Sequence, residues 1–557
     1  MPSLPNSTKP LLSWLERPAA DRGIRFAQAD GEWCFYPYEQ VGKMTREAAL
    51  RLTQHGVRPG DVVTLIGETG PELIAAFFGA LAIGATPSPA APPMIFKELD
   101  RYREHLARVL DATRPALVVA GEGLAGAIES IGGGSLAVVE LAALFGEGDE
   151  LTPWSAGAGE IALLQLTSGS TGAARAVSIS HSALTANVGA LSSWLGIAPG
   201  SAWASWLPLH HDMGLVGGMI APVVCETDLW LMRPEQFVRD PLGYLRCFGT
   251  FGARLSATPP FALDLIARRV PPDALEGMDF SRVEGIVVGA ERISPGTLER
   301  FHALLAPFGL RREALLPAYG LAEATLAVSG VPRGRGWEAT VVDPASLALG
   351  RRIRRPEAGG EGTAVVGCGL PLDGVSVSVV DEDLVPVGEG WVGEIVVRGA
   401  SLASGLAGDA PASLTRLADG ELRTGDAGWV SDGQLFVIGR LGDSIKVRGQ
   451  VVFSEDLEAA LAEMGAGRQH VAVLLGVLEG LPNVVVLSEE ADHDWRDSAA
   501  TLLRRQAGGA RVTCLNVPRG TITRTSSGKP RRRALWQSFV EGTLTAAPHR
   551  HLDDAIA

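Results

Sequence analysis

A loop rich in glycine and hydroxyl residues is the stretch of this chain best suited to hold phosphate. Residues 161–164 are an apolar run typical of a buried strand, and a segment with a helical pattern begins at Ser180. Glycines allow several backbone N–H groups to point inward, and hydroxyls add donors for phosphate oxygens. The residues that would form this nest are Thr167, Ser168, Gly169, Ser170, Thr171 and Gly172. Ala173 excludes a Walker loop, which has lysine there, and a Ser/Gly turn without a ligand is an equal alternative.

Two further sites contain residue types that carry out chemistry. His210, His211 and Asp212 are adjacent, and neighbouring side chains point apart in regular structure, so a polar turn before a helix at Leu215–Val223 is favoured over a zinc site. Lys529 follows a Ser/Gly run near the end of the chain, where a lysine is usually just solvated.

Composition indicates a folded protein with more than one domain. The chain has 557 residues, of which 46% are hydrophobic and 20% charged. Its net charge of −14 argues against a nucleic-acid partner. Five dispersed cysteines without metal-ligand spacing are typical of a reducing cytoplasm. The N-terminus has no apolar signal core, and the most apolar run, Leu73–Ala85, is too short to span a membrane, so a cytoplasmic location is predicted.

Strand and helix patterns alternate in the first part of the chain. A strand at Val62–Ile66, helices at Leu73–Ala85 and Lys97–Thr113, and a strand at Ala116–Ala120 predict an α/β fold with parallel sheets covered by helices. The glycine-rich segment Gly121–Gly134 is expected to be a loop.

The last third of the chain has a different pattern. Residues 365–397 alternate as antiparallel strands do, which predicts a small barrel-like subdomain. Gly439 and Gly442 then flank a short turn between strands, a suitable hinge. Beyond it, strands and helices, including one at Trp495–Gln506, predict a small α+β domain.

Six segments, in this order, resemble motifs of the adenylate-forming superfamily of acyl-CoA ligases, peptide-synthetase adenylation domains and luciferases. They are the TSGSTG loop, Trp206–Leu215, Leu315–Glu323 with its YGxxE pattern, Leu422–Trp429 with TGD, Ile438–Gly449, and Thr521–Pro530 with RTSSGK. The chain is identified as a member of this superfamily over about residues 160–535. The segment at Trp206 resembles WLPxxHDMGL of fatty acyl-AMP ligases. Arg175 and Ala176 stand where the family usually has lysine and glycine.

The resemblance implies a domain organisation. It predicts a large N-terminal domain, residues 1–440, of two α/β subdomains plus a small β-barrel-like subdomain, and a small mobile α+β C-terminal domain, residues 441–557. The 46 residues that separate Glu323 from Gly369 exceed the usual length in acyl-CoA ligases. The extra material at about 331–362, with a short helix expected at Pro344–Leu349, matches in place an insertion that marks fatty acyl-AMP ligases.

The resemblance also implies the roles of individual residues. The implied catalytic residues are Lys529, Glu323 and His211, with Mg²⁺ held by Glu323. Gly442 and Asp443 would form the hinge. The implied acyl pocket comprises Trp206, His211, Gly214, Gly218 and Met219. The implied ATP-binding residues are Thr167, Ser168, Gly169, Ser170, Thr171, Gly172, Gly289, Ala290, Glu291, Ala318, Tyr319, Gly320, Asp426 and Arg440.

Three functions remain open at this stage. The first is a fatty acyl-AMP ligase that uses ATP and Mg²⁺ and passes the acyl group to the phosphopantetheine thiol of an acyl carrier protein. The second is an acyl-CoA ligase of the same fold, and the third is a catalytically silent nucleotide-binding protein. The basic run from Lys529 to Arg533 is expected either to dock an acidic carrier or to be a solvated tail.

Overall fold

The structure is a computed structural model that describes residues 10–93, 99–131, 136–146, 160–168, 174–359, 362–407, 415–447, 450–464, 466–467, 470–478, 481–489, 503, 510–524, 528–544 and 550–551. Its α-helices are α1 (Tyr38–Gln54), α2 (Pro71–Ala82), α3 (Leu99–Thr113), α4 (Ala125–Ile131), α5 (His181–Leu195), α6 (Ala221–Val224), α7 (Pro234–Arg239), α8 (Pro241–Gly249), α9 (Pro260–Arg269), α10 (Pro295–Leu305), α11 (Ser454–Glu463) and α12 (Arg532–Val540).

The strands are numbered in chain order. Those before residue 300 are β1 (Gly23–Ala27), β2 (Trp33–Pro37), β3 (Val62–Ile66), β4 (Thr86–Ala90), β5 (Leu117–Ala120), β6 (Val138–Glu140), β7 (Ile161–Ser168), β8 (Ala174–Ser180), β9 (Ala202–Ser205), β10 (Asp228–Leu231), β11 (Leu255–Thr258) and β12 (Gly285–Val288). Those that follow are β13 (Leu315–Gly320), β14 (Ala327–Gly330), β15 (Ala339–Val342), β16 (Thr363–Val366), β17 (Leu370–Pro371), β18 (Val375–Val380), β19 (Gly393–Gly399), β20 (Gly405–Ala407), β21 (Arg416–Ala418), β22 (Glu421–Ser431), β23 (Gln434–Arg440), β24 (Ser444–Val447), β25 (Gln450–Phe453), β26 (Val471–Leu478), β27 (Leu481–Ser488), β28 (Arg511–Asn516) and β29 (Arg550–His551).

A nine-stranded sheet forms the larger α/β unit. Its spatial order is β17-β14-β13-β12-β11-β9-β10-β1-β2, and the pairs between β1 and β13 along this path are parallel. Strands β11 and β12 are buried at every residue, as expected of parallel strands covered on both faces. Loops that leave the carboxyl ends of neighbouring parallel strands meet at one edge, which is where ligands bind in such sheets.

A second, parallel sheet has the order β4-β3-β5-β6. The strands and helices predicted for residues 62–120 are confirmed with small shifts at the helix ends, but strand β4 between α2 and α3 was not predicted. Helix α1 packs closely on α2, because a Cβ added to Gly79 would lie 3.0 Å from the Cβ of Ala48. The loop predicted at Gly121–Gly134 is wrong in part, since α4 lies within it and buries Ile128 in an apolar cluster.

Residues 161–180 differ from the predicted strand-loop-helix. Strand β8 follows the hydroxyl-rich loop and pairs antiparallel with β7 before α5 begins at His181. The prediction missed β8 because its apolar residues alternate over a short span next to the helix start. The loop therefore connects two strands of a hairpin.

The segment from residue 375 to 440 forms an antiparallel sheet of five strands, β18-β19-β22-β21 with β23 on the other edge of β22. Trp429 on β22 stacks on Phe436 of β23, with ring centroids 4.7 Å apart. This sheet confirms the predicted change from parallel to antiparallel strands.

The C-terminal part is α+β. The sheet β26-β27-β28-β29, the hairpin β24-β25 and helices α11 and α12 surround two apolar clusters of their own. The helix predicted at Trp495–Gln506 lies almost entirely outside the described residues. In the part of the chain that the structure describes, every helix is too short or too polar to cross a bilayer.

Candidate active site

Neighbouring strands β12 and β13 bring two of the predicted ATP-binding segments together. Val288 pairs with Pro317 at the carboxyl ends of these strands, so residues 289–291 lie beside residues 318–320. A Cβ added to Gly289 would lie 3.0 Å from the carbonyl oxygen of Ala318, which favours glycine there. Ala290 has a φ of 70°, a strained value for a residue with a side chain.

Tyr319, Asp426 and Arg440 form a connected polar group. The hydroxyl of Tyr319 donates to Asp426 Oδ2 at 2.6 Å, and Arg440 Nε lies 3.4 Å from Asp426 Oδ1. Pairing of β22 with β23 places Asp426 opposite Arg440. The carboxylate of Asp426 raises the pKa of Arg440, whereas the pKa of Tyr319 is raised first by burial and then by Asp426. A carboxylate with spare lone pairs beside a tyrosine ring can hold a ribose under a purine.

Glu323 lies next to this group, on a short 3₁₀ helix at Ala322–Ala324. Its side chain is buried, and burial raises its pKa, although Arg440 and Arg175 oppose the shift. The backbone after it is strained, since Thr325 has a φ of 70° and is held by a hydrogen bond from its hydroxyl to Ser401 O at 2.7 Å. Such strain is maintained where the surrounding structure positions a functional side chain.

Arg175 supplies a buried cation at the base of the hydroxyl-rich loop. It pairs with Thr167 in the β7–β8 hairpin, and its Nε has no hydrogen-bond partner among the described residues. A buried guanidinium with an unused donor is suited to an anion. Gly169, Ser170, Thr171 and Gly172, and the side chain of Ser168, lie outside the description, so their phosphate-binding role stays a prediction.

His211 contacts Asp212, and Lys529, from a distant segment of the chain, is close enough to affect the pKa of Asp212. His211 Nδ1 lies 2.7 Å from Asp212 Oδ1. Burial alone would raise the pKa of Asp212, but His211, the Met213 N–H and the ammonium of Lys529 together hold it below its usual value. Asp212 also influences the pKa of Glu323, so it belongs to the same site. From the sequence, Asp212 was considered only in a disfavoured zinc site and within the motif at Trp206–Leu215, although its position beside a histidine was a usable signal.

His210 differs from His211 because it points inward. Burial, with the nearby His211 and His105, lowers its pKa to about 3. The side-chain amide of Gln165 donates to the His210 carbonyl at 3.0 Å, which ties this turn to β7. His105 on α3, whose pKa is lowered to about 4 by burial, Arg531 and Arg108, therefore lies near the site and was missed in the sequence interpretation.

Trp206 directly follows β9 and His211 lies in the next turn, whereas Gly214, Gly218 and Met219 lie on a π-helix at Met213–Ile220. Trp206 is buried and stacks on Phe237 at 4.0 Å. Added Cβ atoms at Gly214 and Gly218 would lie 2.2 Å from Pro208 O and 2.6 Å from Ser205 Oγ, so the helix requires glycine there to approach the strand. Met219 is buried as well. The helix predicted at Leu215–Val223 is thus a π-helix followed by α6.

An open cleft lies between the two parallel sheets and is lined by residues from β3, β4 and the segments that follow β9 and β10. Its walls are mainly apolar, with Leu65, Leu73, Pro89 and Leu209, and His210 contributes to one side. The five predicted acyl-pocket residues are not part of its lining, so the pocket assignment remains a prediction.

The predicted hinge lies on a 3₁₀ turn at Leu441–Asp443. Asp443 Oδ2 accepts a hydrogen bond from Arg532 Nη1 at 2.9 Å, and Arg532 Nη2 lies 2.7 Å from Glu458 Oε2. Burial would lower the pKa of Arg532, but Glu458, Glu455 and Asp443 raise it above its ordinary value. The prediction of a solvated or carrier-docking basic run is therefore wrong for Arg532, which is 10% exposed and held within its own domain.

The segment at 331–362, predicted to be an insertion, is packed against the rest of the chain. Strand β15 pairs with β16, and the short helix predicted at Pro344–Leu349 is a 3₁₀ helix over Pro344–Ser346. The guanidinium of Arg312 covers the buried ring of Trp337 at 3.9 Å. Val342 and Leu347 of the insertion belong to the same buried apolar cluster as Phe453, which lies beyond the hinge.

A divalent cation has one suitable ligand at this site. No cluster of three or more His, Cys, Asp or Glu side chains that could hold a metal occurs in the described ranges. Mg²⁺ is usually held by only one or two carboxylates together with substrate phosphates. The buried carboxylate of Glu323 fits that requirement.

Comparisons with known proteins agree with this geometry. The AMP-binding enzyme family matches residues 15–407. The chain is 32% identical to the long-chain-fatty-acid–AMP ligase FadD26 of Mycobacterium tuberculosis over 518 residues, 86% of this chain and 87% of the relative. It is 31% identical to the putative fatty-acid–CoA ligase FadD21 of the same organism over 541 residues, 90% of this chain and 91% of the relative.

Solved structures resemble the whole chain. A structure from a study of fatty acyl-adenylate ligases from E. coli and L. pneumophila has a TM-score of 0.88 at 28% identity and covers 97% of this chain and 99% of that one. The L. pneumophila fatty acyl-adenylate ligase in complex with acyl adenylate and pyrophosphate has a TM-score of 0.71 at 25% identity, covering 98% of each chain. The predicted adenylate-forming fold is thereby confirmed, and the chain is a member of the AMP-binding enzyme family.

Proposed function

We propose that this enzyme activates a fatty acid with ATP to form an acyl adenylate, and then transfers the acyl group to the phosphopantetheine thiol of an acyl carrier protein. The proposal is supported most directly by the contact between Asp426 and Arg440, the proximity of Glu323 to Arg440, and the position of Lys529, beyond the predicted hinge, close enough to Asp212 to lower the pKa of that carboxyl. Relatives named as fatty-acid–AMP ligases support the substrate class.

The first half-reaction requires two anions to meet. An oxygen of the fatty acid carboxylate forms a bond to the α-phosphorus of ATP, and the bond from that phosphorus to the bridging oxygen breaks, which releases pyrophosphate. Catalysis of such a step is largely positioning and neutralisation of charge. Asp426 accepts hydrogen bonds from the ribose hydroxyls, and Tyr319 and Arg440 hold that carboxylate in place.

The cations of the site neutralise the developing charge. Lys529 would donate to the carboxylate and to an α-phosphate oxygen, and Arg175 would neutralise charge on the departing pyrophosphate. Glu323 would hold Mg²⁺, which supplies further neutralisation of the phosphates when bound. Burial of Glu323 and Arg175 strengthens these interactions because water cannot screen them.

The second half-reaction needs the space that Lys529 occupies. The thiol sulfur attacks the acyl carbonyl carbon, the bond from that carbon to the phosphate oxygen breaks, and AMP leaves as the thiol proton passes to solvent. A rotation at Gly442 and Asp443 would withdraw Lys529 and admit the thiol. The apolar cluster that joins Val342 and Leu347 to Phe453 restrains such a rotation, which favours an acceptor with docking contacts of its own.

The acceptor is tested by competition between two thiols. A long-chain fatty acid, ATP and Mg²⁺ are supplied with either free coenzyme A or a phosphopantetheinylated carrier protein, and the acyl thioesters are measured. We expect acyl carrier to accumulate and acyl-CoA to form slowly. Efficient acyl-CoA formation would instead assign the enzyme to the acyl-CoA ligases. The relative FadD21 is named as a putative fatty-acid–CoA ligase, which is consistent with that alternative.

A further inference from the structure

Arg292 contacts two other segments of the chain and so connects three parts of the molecule. It follows directly after the predicted ATP-binding residues 289–291, in the loop between β12 and α10. Its Nη1 donates to the carbonyl of Ile438 at 3.1 Å, two residues before Arg440. The same guanidinium forms an ion pair with Asp456 in the first turn of α11, beyond the hinge. We call this ion pair the Arg292–Asp456 bridge.

The bridge is shielded from solvent. The side chain of Arg292 is 15% exposed and that of Asp456 is 26% exposed. Burial lowers the pKa of Arg292 to about 10, with Glu455 opposing the shift, so the guanidinium stays charged near neutral pH. Interactions between partly buried charges are screened by salt much less than surface pairs are. Asp456 also lies at a helix N-terminus, where a carboxylate is stabilised.

A second pair of opposite charges crosses the same boundary. Burial lowers the pKa of Arg524, which lies shortly before Lys529, and Glu291 is among the carboxylates that oppose this shift. Two consecutive residues of one loop thus interact with opposite charges on the C-terminal segment, Arg292 by an ion pair and Glu291 by a longer-range electrostatic influence on Arg524. The pairing specifies an orientation as well as proximity, because exchanging the partners would place like charges together.

The bridge depends on the hinge. Arg292 and Ile438 lie before Gly442, whereas Asp456 lies after it. A rotation at the hinge leaves the hydrogen bond from Arg292 to Ile438 intact and separates Arg292 from Asp456. The ion pair therefore belongs to the orientation in which Lys529 lies close enough to Asp212 to influence its pKa.

We propose that Arg292 is a positioning residue for adenylate formation: its ion pair with Asp456 aligns the C-terminal domain over the nucleotide site, and it must break before thiol transfer. This inference rests on the proposed function, since it assigns the pair to one of the two half-reactions. It predicts that disruption of the bridge slows the first half-reaction selectively.

The test uses charge reversal and charge exchange in the full-length enzyme. Arg292→Asp, Asp456→Arg and the double variant R292D/D456R are compared in two single-turnover assays. One measures acyl-adenylate formation from a long-chain fatty acid and ATP, and the other measures transfer from synthetic acyl adenylate to a phosphopantetheinylated carrier. The matched control is Glu421→Arg, which breaks the exposed Arg398–Glu421 ion pair within the antiparallel sheet.

We expect each single variant to form acyl adenylate about 10-fold more slowly, in line with coupling between charges in contact, and to transfer the acyl group within about twofold of wild type. The double variant should recover most of the lost rate, and Glu421→Arg should leave both rates unchanged. Arg292→Lys, which keeps the charge but lacks the planar fork, should be intermediate.

Three results would overturn the inference: single variants that form acyl adenylate at the wild-type rate, a double variant no faster than the single ones, or equal losses in both half-reactions. These outcomes leave the proposed function intact when the wild type makes acyl adenylate. A wild-type enzyme that makes none refutes the proposed function itself.

Discussion

Asp443, at the predicted hinge, accepts a hydrogen bond of 2.9 Å from Arg532, three residues after Lys529. Arg532 also contacts Glu458 on α11 at 2.7 Å. One guanidinium thus joins the pivot, the first helix of the C-terminal part and the start of α12. Because Arg532 lies three residues after Lys529, these contacts link the chain next to Lys529 to the predicted hinge.

Replacing Arg532 with alanine should therefore impair both stability and adenylate formation. Asp443, Glu455 and Glu458 would lose their common partner, and removal of one member of a buried ion pair typically costs about 3–5 kcal/mol. We expect a lower Tm and faster hydrogen exchange in α11 and α12. Arg533→Ala, at the next position, is the control and should be near wild type. An unchanged Tm for Arg532→Ala would show that the pairing contributes little.

Gly442→Pro should slow thiol transfer more than adenylate formation. Proline restricts φ to about −65° and limits the residue before it, so a pivot at this position could no longer rotate freely. Gly442→Ala, which keeps rotation about φ and ψ, is the control. The measurement is the single-turnover rate of each half-reaction. An equal decrease in both rates would show that the pivot is not at Gly442.

Glu323→Gln should stabilise the free enzyme at neutral pH while it abolishes most activity. Burial raises the pKa of Glu323, so the folded state binds its proton more tightly than the unfolded state does. The stability that protonated Glu323 contributes is present below its pKa in the unfolded chain. It is lost as the pH rises through its pKa in the folded enzyme. Glutamine does not ionise, so the Glu323→Gln variant does not lose this stability as the pH rises. Its Tm should exceed that of wild type at pH 7, and the two Tm values should converge in acid.

Activity provides the second half of this prediction. A neutral amide cannot neutralise Mg²⁺, and we expect adenylate formation to fall by about 10²–10³-fold. Glu323→Asp, which keeps the charge on a shorter side chain, is the comparison. If Glu323→Gln raises the Tm above that of wild type no more at pH 7 than in acid, the ionised Glu323 carboxylate does not destabilise the folded enzyme, and this prediction is wrong.

Much of the site could be predicted from the sequence because its residues lie in short motifs at strand ends. Tyr319, Asp426 and Arg440 lie in predictable strands and Glu323 lies just after one, and the structure brings these four together. The alternation of strands and helices could be predicted because the strands contain apolar runs. The roles assigned to the residues came from family resemblance, since a tyrosine or aspartate after a strand is common.

What could not be predicted depends on pairings between distant segments. Arg292 has no motif, and its partners Ile438 and Asp456 follow it by more than a hundred residues. Arg532 looked like one of three solvated arginines, and only the fold shows the three carboxylates around it. Strand β8 was missed because local pattern alone does not distinguish a short hairpin strand from the approach to a helix.

The most direct test of the proposed chemistry is the fatty-acid-dependent exchange of pyrophosphate into ATP by the wild type and by Lys529→Ala, with ATP binding measured on both. Loss of one charge-stabilising donor typically costs about 10²–10³-fold in rate. We predict robust exchange by the wild type, a loss of that size in the variant, and similar ATP affinity in both. Exchange at the wild-type rate by Lys529→Ala, or none by the wild type with any fatty acid, would contradict the account.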